Sequence, residues 1–151
     1  MLNNISKILT GDMLKVLSDM GHGDELIIAD ANFPGETVAA DTVTGKLIRC
    51  PGVDVATLYE AISALFPLDA AYTEHPACVM DLSDGDKAKG MKTPEAWADF
   101  EKTLTRCYPG QTLGKIERYD FYARARKAYA VIQTGEERVY GNLLLVKGCV
   151  L

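Results

Sequence analysis

The sequence contains no Cys-x-x-Cys pair, and neither of its two histidines, His22 and His75, lies at metal-ligand spacing from the four cysteines at positions 50, 78, 107 and 149. The local signatures of a zinc site and of a dithiol redox centre are therefore missing, and free thiols packed as small apolar groups are the expected state. Long apolar runs are missing too. A bilayer span takes roughly 18 consecutive apolar residues, whereas a run such as Leu143–Val146 stops at Lys147. The opening MLNNISKILTGD lacks the succession of basic segment, apolar stretch and small-residue cleavage site that marks a secreted chain, so the cytoplasm is the expected location. Positive charge is in short supply: 16 Lys and Arg against 21 Asp and Glu leave a net charge of -5. Such a balance gives no field to attract nucleic acid or an anionic membrane. The glycines match neither the Gly-x-Gly-x-x-Gly fingerprint nor the P-loop pattern, and no repeat, low-complexity tract or interdomain linker interrupts the chain.

What remains is a chain of 151 residues, 48% of them hydrophobic, enough for one core and one domain over 1–151. Thr10 is placed to cap a first helix whose Met13, Leu14, Leu17 and Met20 recur at helical spacing up to Gly21. Residues 25–30 form a short apolar run suited to a buried strand that delivers Asp30 to its carboxyl edge. A strand over 46–50 follows, then a helix capped by Asp54 with Val55, Leu58, Ile62 and Leu65 in one stripe. Residues 77–82 read as a strand and 83–92 as a polar surface loop. Thr93-Pro94 restarts a helix that buries Trp97, Phe100 and Leu104. Beyond the Pro109-Gly110 turn come a strand over 115–119 ending near Arg118, a helix begun by Asp120, and strand, turn and strand over 129–134, 135–137 and 143–146. This alternation predicts an α/β layered fold with a central, mostly parallel sheet flanked by helices.

Several residues could carry chemistry. His22 stands between Gly21 and Gly23 in a turn before a strand, where its imidazole can give and take a proton near neutral pH, although taken alone it reads first as the solvated tip of a glycine turn. Asp30 lies off the carboxyl end of a strand, the usual place for ligands in α/β sheets, and could instead turn the Ala31-Asn32-Phe33-Pro34 loop. Arg118 offers a planar fork of donors to hydroxyls or a carboxylate, or a surface ion pair. Phe121 and Tyr122 read as core or interface aromatics. Tyr140-Gly141-Asn142 combines groups that both give and accept hydrogen bonds at the mouth of the last strand, or simply starts a hairpin.

Taken in order, Gly21-His22-Gly23-Asp24, Asp30-Ala31-x-Phe33-Pro34, Arg118-x-x-Phe121-Tyr122-x-Arg124-Ala125, Thr134-Gly135-Glu136 with Tyr140-Gly141-Asn142, and Lys147-Gly148 resemble the fucose mutarotase and ribose pyranase family. The resemblance spans the chain from near residue 10 to its end. It implies a cofactor-free, metal-free isomerase that interconverts sugar anomers or ring forms, an α/β fold, and homo-oligomers, rings such as decamers in bacterial members, with sites near subunit boundaries. It places the catalytic His at His22, the sugar-binding Asp at Asp30, and further sugar contacts at Arg118, Tyr140, Gly141 and Asn142. Arg118 and Tyr-Gly-Asn resemble the fucose branch, with L-fucose the implied substrate, whereas the ribose branch tends to carry His and Tyr-Ala-Asn. Asn32 departs from a frequent His, and the polar segment 83–93 is long. Anomer exchange needs one proton removed from the anomeric hydroxyl and one given to the ring oxygen. His22 would shuttle it while Asp30 binds hydroxyls or orients the imidazole, and Arg118, Tyr140 and Asn142 fix the ring. A D-ribose pyranase and a non-enzymatic sugar-binding or sensing module draw on the same residues; a structural interaction domain uses none.

Overall fold

The computed structural model describes residues 1–150. Thr10 Oγ1 accepts from Met13 N–H at 3.3 Å and opens α1 (Gly11–Asp19), which buries Met13, Val16 and Leu17. Then come β1 (Glu25–Ala29), α2 (Gly35–Ala39) and β2 (Leu47–Cys50). Asp54 accepts from Thr57 N–H at 2.7 Å to start α3 (Val55–Ser63). The chain continues through β3 (Ala77–Met80), α4 (Asp84–Ala88), α5 (Glu95–Cys107), β4 (Gly114–Ile116), α6 (Arg118–Lys127), β5 (Ala130–Thr134) and β6 (Leu143–Val146).

The strands form one six-stranded sheet in the order β2-β5-β1-β6-β3-β4. β6 alone runs against the others, pairing Ile28 with Leu143 and Leu26 with Leu145 on β1 and Val79 with Leu143 on β3, while every other pair is parallel. Side chains alternate between the faces. Leu26, Ile28, Ile132, Leu143 and Leu145 pack under α1, α3 and α5 against Met13, Ile62 and Phe100. Ile27, Val131, Leu144 and Val146 pack under α2 and α6 against Val38 and Phe121. Helices on both faces explain why the central strands read as unbroken apolar runs rather than as alternating ones. Each fully buried Leu or Ile contributes about 1.5–3 kcal/mol of transfer free energy, so the central strands anchor the fold.

The α/β architecture is as expected, and five local expectations are corrected. Residues 83–92 are not simply loop: Ser83 caps the short α4, with Asp84 and Asp86 in its first turn and Lys87 in its last, a helix made by end effects rather than by an apolar stripe. Arg118 does not end a strand. It begins α6, because the Glu117 carboxylate accepts from Tyr119 N–H at 2.7 Å and Asp120 N–H at 3.1 Å. The last two strands do not pair as a hairpin, since β1 lies between β5 and β6. Leu65 follows the end of α3 and is exposed. All four cysteines are free, as expected, but only Cys50 and Cys78 are buried, with Cys107 half-buried and Cys149 exposed.

Candidate functional site

The direction of the strands decides which residues can meet. The parallel strands end at one edge of the sheet, and β6, running the other way, begins there. Asp30 after β1, Arg118 after β4, and Tyr140-Gly141-Asn142 before β6 are thus gathered at that edge. Asp30, Arg118, Tyr140 and Asn142 line a cavity of about 280 Å³ together with Asn32, Phe33, Met80, Asp86, Tyr122 and Val139, whereas Gly141 is not among the lining residues.

Asp30 and Asn142 are both buried and lock together. Asn142 Nδ2 donates to Asp30 Oδ2 at 2.9 Å, and Asp30 N–H donates to Asn142 Oδ1 at 2.8 Å. The second carboxyl oxygen accepts from Asn32 N–H at 3.0 Å, the turn-forming bond expected of an Asp here. Burial pushes the Asp30 carboxyl above the ordinary carboxylate range, against the opposing pull of its hydrogen bonds to Asn32, Phe33, Asn142 and Gly141. A carboxyl held in this way can bind hydroxyls and exchange a proton nearer to neutrality than a solvated one.

Gly141 permits the close approach. A Cβ there would stand 2.7 Å from Glu136 Cγ and 2.9 Å from the Arg138 carbonyl oxygen. Tyr140 beside it adopts φ 59°, a left-handed conformation that costs a non-glycine residue about 1–3 kcal/mol. Trp97 Nε1–H donates to the Tyr140 carbonyl at 3.0 Å and helps hold it. The Tyr140 hydroxyl donates to Asp86 at 2.5 Å. Arg118 is exposed at the mouth, its guanidinium 6.0 Å from the centre of the Tyr122 ring, which in turn lies 5.5 Å from Phe33.

His22 lies elsewhere. It precedes β1 while Asp30 follows it, so the two are separated by the strand's length, five residues or about 16 Å at ~3.3 Å each. Within one chain Asp30 therefore does not orient the imidazole. Asp69 does: its Oδ1 stands 3.1 Å from His22 Nε2, and its Oδ2 accepts from the Thr73 hydroxyl at 2.6 Å. The Thr73 hydroxyl, and then His22, hold the Asp69 carboxyl below its ordinary range. An ionised carboxylate only accepts, so Nε2 donates the proton of this bond and Nδ1 faces away from Asp69. Tyr72 packs beside the imidazole with ring centres 5.4 Å apart. Sequence reasoning missed Asp69, Met80 and Asp86 and placed Tyr122 in a core or interface. Only Phe121 of that aromatic pair is fully buried. Among the described residues no group of three or more His, Cys, Asp or Glu is placed to hold a metal ion, and no helix is long and apolar enough to cross a membrane.

A family model described as the RbsD / FucU transport protein family matches residues 3–150. The chain belongs to this family. Within the RbsD / FucU proteins it is 47% identical to the fucose mutarotase of Mus musculus, over 97% of this chain and 94% of that one. A solved structure of the fucose mutarotase of Streptococcus pneumoniae in complex with L-fucose superposes with a TM-score of 0.87 at 37% identity, covering 99% of this chain and 100% of that one. Bacillus subtilis RbsD complexed with D-ribose matches with a TM-score of 0.70 at 22% identity over the whole of both chains, a likeness of fold.

Proposed function

We propose that the protein is a sugar mutarotase, an isomerase that interconverts the α and β anomers of L-fucose. The observation that carries this reading is the cavity at the carboxyl edge of the sheet. Its volume of about 280 Å³ suits one monosaccharide, and Asp30, Arg118, Tyr140 and Asn142 offer converging partners for hydroxyl groups. Its likeness to the murine fucose mutarotase and to the L-fucose complex favours that sugar over D-ribose, for which the likeness is one of fold.

Exchange requires the anomeric hydroxyl to lose its proton as the ring oxygen gains one, breaking the bond between the anomeric carbon and the ring oxygen. The open aldehyde then turns and closes on its other face, with the proton movements reversed. No electrons leave the sugar. Asp30, Asn142 and Tyr140 hold ring hydroxyls, Arg118 closes over the mouth, and His22, with Nε2–H fixed on Asp69, moves the proton through Nδ1. Because His22 sits at the far edge of its own sheet, it serves the cavity of another copy of the chain. The working enzyme is thus a homo-oligomer, a ring such as a decamer being one form, each copy one domain over 1–151, acting in the cytoplasm with no membrane or nucleic-acid partner.

Magnetisation-exchange NMR tests the reading across L-fucose, D-ribose, D-galactose and L-rhamnose. Transfer between α and β L-fucose signals should rise with protein concentration and exceed that for D-ribose. Line broadening without transfer would make the protein a sugar binder instead, and faster transfer for D-ribose would move it to the pyranase side.

A further inference from the structure

Ser83-Asp84-Gly85-Asp86 has the spacing of a capping box, a hydroxyl at the helix cap and a carboxylate three residues on. In the ordinary box the carboxylate accepts directly from the cap residue's own N–H. Here that link is replaced. Asp86 N–H donates to Ser83 Oγ at 3.2 Å, and Ser83 Oγ–H donates to Asp86 Oδ2 at 2.8 Å, but Ser83 N–H turns to the Tyr140 hydroxyl at 3.1 Å. The Tyr140 hydroxyl in turn donates to Asp86 Oδ2 at 2.5 Å. A tyrosine hydroxyl from the edge of the sheet is thus inserted into the cap of α4.

Hydrogen-bond arithmetic gives this insertion a consequence. A phenolic hydroxyl has one proton and two acceptor positions. Asp86 takes the proton and Ser83 N–H takes one acceptor position, so a single lone pair remains for whatever enters the cavity, which both Tyr140 and Asp86 line. The hydrogen bonds from Tyr140 and then Ser83 hold the Asp86 carboxyl below its ordinary range, and an ionised carboxylate has no proton to return. The direction of the bond is therefore fixed.

We propose that Asp86 is a positioning residue of the sugar site, which together with Ser83 makes the Tyr140 hydroxyl an acceptor only, so that it binds a sugar hydroxyl as donor. This rests on the sugar-mutarotase reading above. Asp86 acts through Tyr140, and α4 is the wall that carries it. The alternative is that Asp86 merely caps α4, a helix with no buried residues whose loss would leave the core intact.

A double-mutant cycle in the L-fucose exchange assay separates the two. Asp86→Ala should lower kcat/KM by about 10-fold or more, since it removes a charge-assisted hydrogen bond from a group facing the substrate. Asp86→Asn, whose amide oxygen still accepts from Tyr140, should stay within about 3-fold of wild type. In the Tyr140→Phe background, Asp86→Ala should change kcat/KM by less than about 2-fold, because the hydroxyl it positions is gone. An equal loss in both backgrounds, or no loss from Asp86→Ala alone, would overturn the inference and leave the mutarotase reading standing. Absence of L-fucose exchange in the wild-type protein would remove both.

Discussion

At the level of single residues, the proposed site rests on two carboxylates tuned in opposite directions. Burial raises Asp30, so the native state holds its proton more tightly than the unfolded chain does. That contribution to stability is present below about pH 4, the ordinary Asp range, and is lost as pH rises through the raised native value. Asp30→Asn lacks this loss. Urea melts should show the variant gaining stability relative to the native protein between about pH 4 and pH 7, while its L-fucose exchange falls; a difference that stays constant with pH would contradict the burial argument. Asp69 is lowered instead, and its worth lies in the imidazole it orients. His22→Ala should abolish most exchange and keep the melting temperature, because its side chain is 45% exposed. Asp69→Asn should cost about 10-fold or more in exchange, and near-normal rates in either variant would take this pair out of the mechanism. Arg118, a long fork where a His would offer at most two donors, should favour L-fucose over D-ribose, and Arg118→His should narrow that preference.

At the level of elements, the sequence made some features plain and hid others for identifiable reasons. The strand delivering Asp30, the caps Thr10 and Asp54, and the buried stripe Trp97, Phe100 and Leu104 were legible, since each follows from periodicity or from a short polar side chain at a helix start. α2 and α4 were not, because five-residue helices are too short to display a stripe. The start of α6 was displaced because Glu117, an uncommon cap, does the work expected of Asp120. Asp69 gave no signal at all: it reaches His22 across 47 residues of sequence, and the two segments meet on the end of β6, where Lys147 bonds through its backbone to Gly23 and Asp24 and bridges to Leu68. Gly141 shows how tightly the start of β6 is fitted. Gly141→Ala should destabilise the fold by about 1–3 kcal/mol through contact with the Arg138 backbone, and should weaken exchange by moving Tyr140 and Asn142. Unchanged melting and unchanged exchange would mean that the Tyr140 loop yields at no cost.

At the level of the whole molecule, the proposed mechanism divides one sheet into two half-sites at opposite edges. The cavity opens at the carboxyl ends of the parallel strands, and the His22–Asp69 pair stands where those strands begin. Such a division suits a closed assembly in which unlike edges meet, the heterologous contact that generates rings. The order of residues resembled a known family without revealing this division, because a separation of eight positions from His22 to Asp30 fits either a shared pocket or two ends of one strand. The most direct measurement is L-fucose exchange by His22→Ala and Asp30→Asn proteins, each assembled alone and then co-assembled in equal amounts. Each alone should be nearly inactive. In the mixture on the order of one quarter of the sites receive both an intact His22 edge and an intact Asp30 edge, so exchange should recover toward a quarter of the wild-type rate. No recovery in a mixed assembly, or full activity from a species of 16.5 kDa, would contradict a mutarotase site built between copies of the chain.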